Sequence, residues 1–385
     1  MDELGKAGFE TPDTVCGHLM RTTVLLERVP LRTARLLQVA FCALDGSAFI
    51  NAASEESASI LLSGKNEQFK RLAERLKGSA GGEAAEAAYL AAQNAQKTEF
   101  SVPYPGGALR FGRRPLIMGV LNVTPDSFYD GGRYALVEDA IRRGMDLAEA
   151  GADVIDVGGE STRPGADALS AEEEKRRILR VIEELAKRLP ENIPISVDTY
   201  KVDVAEAAVS AGARMINDIY GLKKEPALAE LAAHHRLPLV LMHIKGEPRT
   251  MQKNPRYDNL MGEIVDSLRR SVATALRFGV APETVIIDPG IGFGKSWEDN
   301  LRILNRLVQL KTFGLPILVG VSRKSFIGAV LGKETPDERL YGTLGACAAA
   351  LLAGASAFRV HDPREVRETL LVAAAIKQEK INVAD

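Results

Sequence analysis

The sequence is poor in the features that mark secreted, membrane-spanning and nucleic-acid-binding proteins. Its 385 residues include three cysteines, Cys16, Cys42 and Cys347, whose spacing forms neither a disulfide framework nor a zinc motif. Few, unpaired cysteines favour a reducing, cytoplasmic environment. The formal net charge is −2, so no basic surface for nucleic acid or an acidic membrane is expected.

The sequence also lacks a long run of large apolar residues. The longest uncharged stretch, 340–358, is rich in alanine and glycine, which favours a small-residue helix packed on a sheet over a membrane span. The first 13 residues are acidic and have no apolar core, so no signal peptide is predicted.

Residues 1–98 differ in pattern from the rest of the chain. Helical spacing of apolar residues predicts helices at Glu67–Lys77 and Glu83–Gln96, and Thr22–Leu26 and Arg35–Cys42 each predict a strand or a short helix. No catalytic constellation is present. We therefore expect a small α+β accessory or dimerisation domain of unknown role, followed by a catalytic domain at 99–385.

A short hairpin is predicted just before the second part of the chain. Phe100–Val102 and Ala108–Phe111 flank a Pro- and Gly-rich turn. We expect this hairpin to plug the bottom of the domain that follows.

From Leu116 onward, short β-rich runs alternate with helical patterns. The predicted strands are Leu116–Leu121, Val154–Val157, Ile195–Val197, Met215–Ile216, Leu239–Met242, Val285–Ile287, Ile317–Val321 and Ala357–Val360. The predicted helices are Tyr134–Ala150, Ala171–Arg188, Lys201–Ala211, Pro226–His235, Asn259–Gly279, Trp297–Phe313, Thr335–Ala353 and Pro363–Lys377. Eight such units predict an α/β fold, a (β/α)8 TIM barrel. An open doubly wound sheet is the alternative, and the regularity of the units favours closure.

A polar residue lies within, ends or directly follows each predicted strand. These residues are Asn122, Asp156, Asp198, Asn217, His243, Asp288, Ser322 and Arg359. In a barrel they would form a ring at the carboxyl ends of the strands, where enzymes of this architecture hold their active sites.

The acidic and amide members of this ring indicate a ligand rich in N–H groups. Asp198, Asn217 and Asp288 would be costly to bury together unless donors met them. A flat heterocycle with two parallel N–H groups matches a carboxylate. Asp156 fits equally well as a ligand group or as an acceptor for the amides of its own Gly-Gly loop. A lone Asp after a strand is usually a turn former or helix cap, which we prefer for the remaining pair, Asp218 and Asp362.

The basic members indicate an anion. Arg359 and His361 alternate along one strand, Arg163 lies in the loop after the second strand, and a guanidinium suits phosphate. Asn122 and the loop of Asp126 could hold Mg²⁺ beside it. A structural ion pair between Arg359 and Asp362 is the alternative.

Two further loops join this face. Ser322–Ser325 precedes a predicted short helix whose first N–H groups would attract a carboxylate or phosphate, and Lys324 is assigned to the site. The glycines of 290–294 do not have P-loop spacing. They indicate close backbone approach, with Phe293 in the cleft.

Together, eight motifs at the strand ends resemble those of the dihydropteroate synthase family. They are NVTPDSF at Asn122–Phe128, DVGGESTRPGA at Asp156–Ala166, SVDT at Ser196–Thr199, IND at Ile216–Asp218, LMH at Leu241–His243, DPGIGFGK at Asp288–Lys295, SRKS at Ser322–Ser325 and RVHD at Arg359–Asp362. The resemblance runs from about Phe100 to the C-terminus, and residues 1–98 exceed the usual family length.

The resemblance implies the joining of 4-aminobenzoate to a 7,8-dihydropterin bearing a CH2-diphosphate, by a dissociative substitution in which Asp126, Lys324, Arg359 and His361 assist. It implies a pterin site at Asp198, Asn217, Asp288 and Lys324, and a diphosphate site at Asn122, Thr162, Arg359 and His361, with Mg²⁺ at Asn122. It implies a 4-aminobenzoate site at Thr162, Arg163, Pro164, Phe293 and Ser325, where sulfonamides would compete.

The family also implies a homodimer formed through late barrel helices. Two alternatives share the pterin-binding residues: a methyltransferase that acts on methyltetrahydrofolate with a corrinoid partner, and a catalytically silent pterin-binding paralogue. The basic pair Arg359 and His361 argues against the methyltransferase, which needs no diphosphate site.

Overall fold

The computed structural model describes residues 21–124, 133–161 and 168–381, with side chains from residue 137 onward in the helix that begins at Arg133. The chain forms two compact units, Met1–Lys97 with Lys311–Gly314, and Thr98–Leu310 with Leu315–Asp385. Within the described ranges, no helix is long and apolar enough to cross a membrane.

The first unit combines a three-stranded antiparallel sheet with helices. Its elements are β1 (Thr22–Val29), α1 (Leu31–Cys42), β2 (Ser47–Ala52), β3 (Ala58–Gly64), α2 (Asn66–Leu76) and α3 (Gly82–Gln96). The strand order is β1-β3-β2. Buried residues alternate along β3, as a half-buried strand requires, and the core includes Phe41 and Phe69, whose ring centroids are 4.8 Å apart.

The structure confirms both predicted helices of this unit and resolves the two open assignments. The segment that begins at Thr22 is a strand, and Arg35–Cys42 belongs to α1. The sequence analysis did not predict β2 and β3.

The second unit begins with a hairpin and continues as alternating strands and helices. The hairpin strands are β4 (Phe100–Tyr104) and β5 (Gly107–Phe111). The barrel strands are β6 (Leu116–Asn122), β7 (Val154–Gly158), β8 (Ile195–Asp198), β9 (Met215–Asp218), β10 (Leu239–Met242), β11 (Val285–Asp288), β12 (Leu318–Val319) and β13 (Ala357–Val360). The helices are α4 (Arg133–Glu149), α5 (Ala171–Arg188), α6 (Val202–Ala211), α7 (Ala227–His235), α8 (Leu260–Arg277), α9 (Trp297–Asn305), α10 (Ser325–Leu331), α11 (Leu340–Leu352) and α12 (Pro363–Gln378).

The strands form one parallel sheet that closes on itself. Its order is β11-β10-β9-β8-β7-β6-β13-β12. A parallel bridge between Ile287 and Ile317 joins the two ends of this order. The predicted TIM barrel is therefore confirmed, and the open doubly wound sheet is wrong.

The local sequence explains why these elements form. Every residue of β10 is buried, as expected for a parallel strand covered on both faces. In α5, Ile178, Val181, Ile182 and Leu185 repeat at helical spacing and are buried against the barrel. At the end of α6, Gly212 has a φ of 123°, and a Cβ there would lie 2.5 Å from Ala186 Cβ, so this helix end needs glycine.

Two predicted helices and one predicted strand are markedly shorter in the structure than predicted. Leu307–Phe313 is a 3-10 helix that follows α9, and it buries Leu307 and Leu310 at a spacing that suits three residues per turn. Pro336–Arg339 forms a separate 3-10 turn before α11. β12 is shorter than predicted and ends at Val319, directly before Gly320.

The hairpin closes the amino-terminal end of the barrel. Val102, Tyr104, Leu109 and Phe111 form one apolar cluster with the first inward-facing residues of the barrel strands. The predicted plug is confirmed. Since this end of the barrel is filled, ligand access is left to the carboxyl ends of the strands.

Candidate active site at the carboxyl ends of the barrel strands

The polar groups lie directly above the apolar layer of the barrel interior. Side chains on one face of a strand recur every two residues. The plugged layer contains Val154, Met215, Ile286 and Ala357. Two residues further along the same strands come Asp156, Asn217, Asp288 and Arg359. Along these four strands, the next inward-facing residue after the apolar layer is polar. This polar layer forms the floor of the site.

Arg359 joins two buried carboxylates across this floor. Its Nε donates to Asp156 Oδ2 at 2.6 Å, and its Nη2 donates to Asp198 Oδ2 at 2.7 Å. Asp156 is fully buried and the Arg359 side chain is 22% exposed. These ion pairs offset the cost of burying two carboxylates together. The alternative pair of Arg359 with Asp362 is wrong.

Asp362 instead pairs with Arg323. Arg323 Nη2 donates to Asp362 Oδ1 at 2.6 Å, and Nε donates to Oδ2 at 3.0 Å. Asp362 precedes α12 but makes no side-chain cap bond, so the preferred turn or cap role is wrong for this residue. For Asp218 it is confirmed, since the carboxylate accepts hydrogen bonds from Tyr220 N and Leu222 N.

Asp156 also binds Asn217. Asn217 Nδ2 donates to Asp156 Oδ2 at 3.1 Å, and Asp156 Oδ1 has no hydrogen-bond partner among the described residues. These contacts differ from the proposed bonds to its own Gly-Gly loop, and the role as a ligand group stays a prediction. Among the described groups, its partners are Arg359 and Asn217 rather than the amides of its own loop.

Burial shapes the ionisation of the two other carboxylates. Desolvation raises the pKa of Asp198 to about 7, with Arg359 opposing and Asp156 adding to the rise. Desolvation also raises the pKa of Asp288 to about 6, opposed by a hydrogen bond from Gly290 N and by Lys324. N–H donors of a ligand would stabilise both carboxylates in the charged form.

Lys324 and Phe293 form one wall of the site. Lys324 Nζ lies 4.4 Å from the centroid of the Phe293 ring, and burial with the nearby Arg359 charge lowers the pKa of Lys324 to about 8. Gly292 adjoins them, since a Cβ there would lie 3.2 Å from Lys324 Cδ. Ser325 begins α10 directly after Lys324.

His361 is held by Ser322 in a neutral state. His361 Nδ1 lies 3.0 Å from Ser322 Oγ. Burial and the charges of Arg359 and Arg323 lower the pKa of His361 to about 3, so the imidazole is uncharged near neutral pH. It can donate one hydrogen bond to an anion, while Arg359 supplies the positive charge.

Asn122 ends β6, next to Gly158 of β7. Its side chain is half-buried and has no hydrogen-bond partner in the part of the chain that the structure describes. Among those residues nothing occupies its amide oxygen, which can therefore accept a ligand.

The glycines of 290–294 permit close backbone approach, as predicted. A Cβ at Gly290 would lie 1.9 Å from His243 O, and one at Gly294 would lie 2.0 Å from Lys245 O. The burial of Lys295 beside these glycines was not predicted from the sequence. Lys295 is 1% exposed, and its Nζ lies 3.0 Å from His243 Nδ1 and 2.9 Å from Phe293 O.

A second missed group is a buried ionic cluster beside the site. Lys201 Nζ bridges Glu160 and Glu174, and Glu160 also accepts a hydrogen bond from Leu169 N at 3.1 Å. Glu160 and Lys201 follow β7 and β8, so the same strand-end reasoning could have found them.

The structure thus brings Asn122, Asp198, Asn217, Asp288, Phe293, Lys324, Ser325, Arg359 and His361 to one end of the barrel. Asp126, Thr162, Arg163 and Pro164 lie outside the described residues, and their roles stay predictions.

Comparison with known proteins agrees with this site. Residues 118–361 match the family model of pterin binding enzymes. The dihydropteroate synthase of Synechocystis sp. is 45% identical over 279 residues, which cover 72% of this chain and 96% of that protein. The structure of Xanthomonas albilineans dihydropteroate synthase with 4-aminobenzoic acid is 43% identical, with a TM-score of 0.68 over 73% of this chain and 99% of that chain.

One relative also matches much of the first unit. A probable bifunctional folylpolyglutamate synthase/dihydropteroate synthase of Halobacterium salinarum is 39% identical over 358 residues, covering 92% of this chain and 43% of that protein. This match is longer than the whole of Thr98–Asp385 and therefore extends into the first unit. On these similarities and the geometry of the barrel mouth, the chain belongs to the dihydropteroate synthase family of pterin-binding enzymes.

Proposed function

We propose that this chain joins 4-aminobenzoate to a 7,8-dihydropterin bearing a CH2-diphosphate, giving 7,8-dihydropteroate and diphosphate. One observation carries the proposal. The barrel mouth combines the buried acceptors Asn217 and Asp288 and the largely buried Asp198 with the cationic Arg359 and Lys324. A substrate with a donor-rich heterocycle at one end and an anion at the other meets both requirements.

The acceptors would hold the pterin ring. The aminopyrimidine edge presents two parallel N–H groups, which pair with a carboxylate such as Asp288. Lys324, with a pKa of about 8, is mostly protonated at pH 7 and would donate to a ring acceptor. These contacts would fix the CH2 carbon below the anion-binding groups.

The basic groups would favour departure of the diphosphate. The C–O bond breaks, and its electron pair leaves with the diphosphate, which Arg359 and neutral His361 stabilise by charge and hydrogen bonding. The electron-rich dihydropterin supports the cationic CH2 centre. The amine nitrogen of 4-aminobenzoate then bonds to this carbon and loses one proton. Asp126 is predicted to assist the cation.

Mg²⁺ fits this site as a partner of the substrate. Asn122 offers one open amide oxygen, and the described residues contain no group of three or more acidic, His or Cys side chains that could hold a metal alone. Mg²⁺ commonly binds through few protein oxygens together with substrate phosphates and water. Bound there, it would neutralise charge on the diphosphate.

The second substrate would lie against Phe293 and the start of α10. Phe293 would pack on the aromatic ring, and Ser325 with the first N–H groups of α10 would receive the carboxylate. Thr162, Arg163 and Pro164 complete the predicted pocket. The Xanthomonas albilineans relative was solved with 4-aminobenzoic acid, which supports 4-aminobenzoate as the second substrate.

The proposal is tested by product formation. Purified protein with the dihydropterin diphosphate, 4-aminobenzoate and Mg²⁺ should release diphosphate and form dihydropteroate, with each component required. A sulfonamide should compete with 4-aminobenzoate. If no dihydropteroate forms when all three components are present, the proposal is wrong. Methyl transfer from methyltetrahydrofolate to a corrinoid protein would establish the methyltransferase alternative, and pterin binding without either reaction would establish the silent paralogue.

We also propose that the chain forms a homodimer through its late barrel helices. α9, α10 and α11 pack against one another and expose Trp297, Val330 and Tyr341, the last with 83% of its surface exposed. Light scattering should give twice the 41.6 kDa chain mass. Tyr341→Glu should shift the protein toward monomer, whereas Arg110→Glu, in the plug hairpin, should not.

A cytoplasmic location is proposed from cysteine usage. Cys42 and Cys347 are free thiols. Cell fractionation would test it, and recovery outside the cytoplasm would contradict it.

A further inference from the structure

Asp156 lies under the ligand-binding groups, and it contacts neither substrate in the proposed reaction. It is fully buried on β7, two residues after Val154, which belongs to the apolar cluster that the hairpin closes. Its Oδ2 accepts hydrogen bonds from both Arg359 Nε and Asn217 Nδ2, while its Oδ1 has no partner within the part of the chain that the structure describes. A single oxygen therefore serves both partners.

This contact decides which end of the Asn217 amide faces the ligand. An ionised carboxylate can only accept hydrogen bonds. The 3.1 Å contact to Asp156 must therefore involve the NH2 group of Asn217, whichever way the amide would otherwise turn. The carbonyl oxygen Oδ1 is then turned away from Asp156, and the described residues offer it no donor.

We propose that Asp156 is a positioning residue that locks the Asn217 amide so that its carbonyl oxygen accepts an N–H of the pterin ring. Without this lock, Asn217 could present its NH2 group instead, and a donor would then face a donor. The inference rests on the proposed function, because it takes the heterocycle of that reaction as the ligand.

The hydrogen-bond acceptor at position 156, rather than its charge, is the required feature. Asp156→Asn keeps one oxygen of similar placement, which can still accept from Arg359 and Asn217. Its NH2 would take the place of the unpartnered Oδ1. Asp156→Leu has a similar size but no acceptor, and Asp156→Ala removes the acceptor without adding bulk.

The experiment measures KM for the dihydropterin diphosphate in each variant at saturating 4-aminobenzoate. Asp156→Leu and Asp156→Ala should raise this KM by about tenfold, the effect of one hydrogen bond to a buried group. Asp156→Asn should raise it clearly less than either acceptor-free variant, because it keeps the accepting oxygen and loses only the charge beside Arg359. Two acceptor-free variants are included because one of them could fail to fold, which thermal unfolding would reveal.

A double-mutant cycle tests whether Asp156 acts through Asn217. Asn217→Leu removes the acceptor itself, so adding Asp156→Leu, or Asp156→Ala if Leu does not fold, should raise KM no further. The proposal is overturned if the increases in KM from the two single substitutions multiply in the double variant. It is also overturned if Asp156→Asn raises KM as much as Asp156→Leu, because the role would then belong to the charge. An unchanged KM in both acceptor-free variants would also overturn it. Failure of the proposed function is distinct, because the parent protein would then form no product.

Discussion

At the scale of single residues, the ionisation of Asp198 should govern pterin binding. Burial raises the pKa of this carboxyl to about 7, Asp156, Glu174 and Asp218 add to the rise, and Arg359 opposes it. An acid with a raised pKa gains its proton as the pH falls through that value. The protonated group is a poorer acceptor, so kcat/KM for the dihydropterin diphosphate should fall below about pH 7.

The matched variants are Asp198→Asn and Asp288→Asn. Asp198→Asn cannot ionise, so the fall of kcat/KM near pH 7 should disappear from its pH profile. Its activity should be lower at every pH, because Arg359 loses a charged partner. Asp288→Asn should keep that fall, since the pKa of Asp288 is raised only to about 6. If kcat/KM still falls near pH 7 in Asp198→Asn, the titration belongs to another group.

Arg359 and His361 should differ in their effect on pterin binding. Arg359→Ala removes the donor of both Asp156 and Asp198, so it should weaken binding of free pterin as well as of its diphosphate ester. His361→Ala leaves those carboxylates paired and should weaken only the ester.

Calorimetry with free pterin and with the ester separates the two cases. Ser322→Ala is a useful control, because it removes the 3.0 Å contact to His361 Nδ1 without removing the imidazole. Unchanged affinity for free pterin in Arg359→Ala would contradict the structural role of the guanidinium under the pterin site.

Sequence reasoning found which residues lie at the site but not which of them contact one another. Asn217 and Asp288 could be assigned because each ends a strand. Arg359 is separated by 203 residues from Asp156 and by 161 from Asp198, and such distant pairs depend on barrel register. The pairing of Asp362 with Arg323 was likewise missed, because sequence adjacency to Arg359 suggested a different partner.

At the scale of elements, the plug hairpin should contribute stability rather than chemistry. Phe111 is 2% exposed within the apolar cluster at the closed end of the barrel. Phe111→Ala should lower the free energy of unfolding by about 3–5 kcal/mol, because it leaves a cavity in this core. Activity at temperatures where the variant stays folded should be unchanged, since the site lies at the other end.

The chain has one tryptophan, Trp297 in α9, so its fluorescence reports on barrel unfolding in denaturant. Arg110→Ala, an exposed change in the same hairpin, should be nearly neutral. Equal effects of the two substitutions would remove the case for a packed plug.

The barrel elements were predictable because each signal is local and repeated. Fully apolar runs mark β10 and its neighbours, and amphipathic spacing marks α5. β2 and β3 were missed because their Ser- and Ala-rich sequences, SAFINA and ASILLSG, carry weak strand signals. β3 pairs with β2 and also with β1, and the pairing with β1 is non-local, so it stabilises strands whose sequences alone carry weak signals.

At the scale of the whole molecule, all the described residues of the candidate site belong to the second unit. The Synechocystis relative is matched over 96% of its length by 279 residues, so a chain without most of the first unit suffices in that protein. A chain that starts at Thr98 should therefore keep the kcat/KM of the full chain for both substrates.

Comparison of the truncated and full chains, each with and without Arg359→Ala, checks this expectation. Arg359→Ala should depress turnover equally in both chains, which ties the measured rate to the barrel site rather than to a contaminant. If truncation instead raises KM for either substrate while the protein stays folded by Trp297 fluorescence, the first unit takes part in substrate binding. Its match to the Halobacterium salinarum protein would then mark a shared catalytic feature rather than an accessory one.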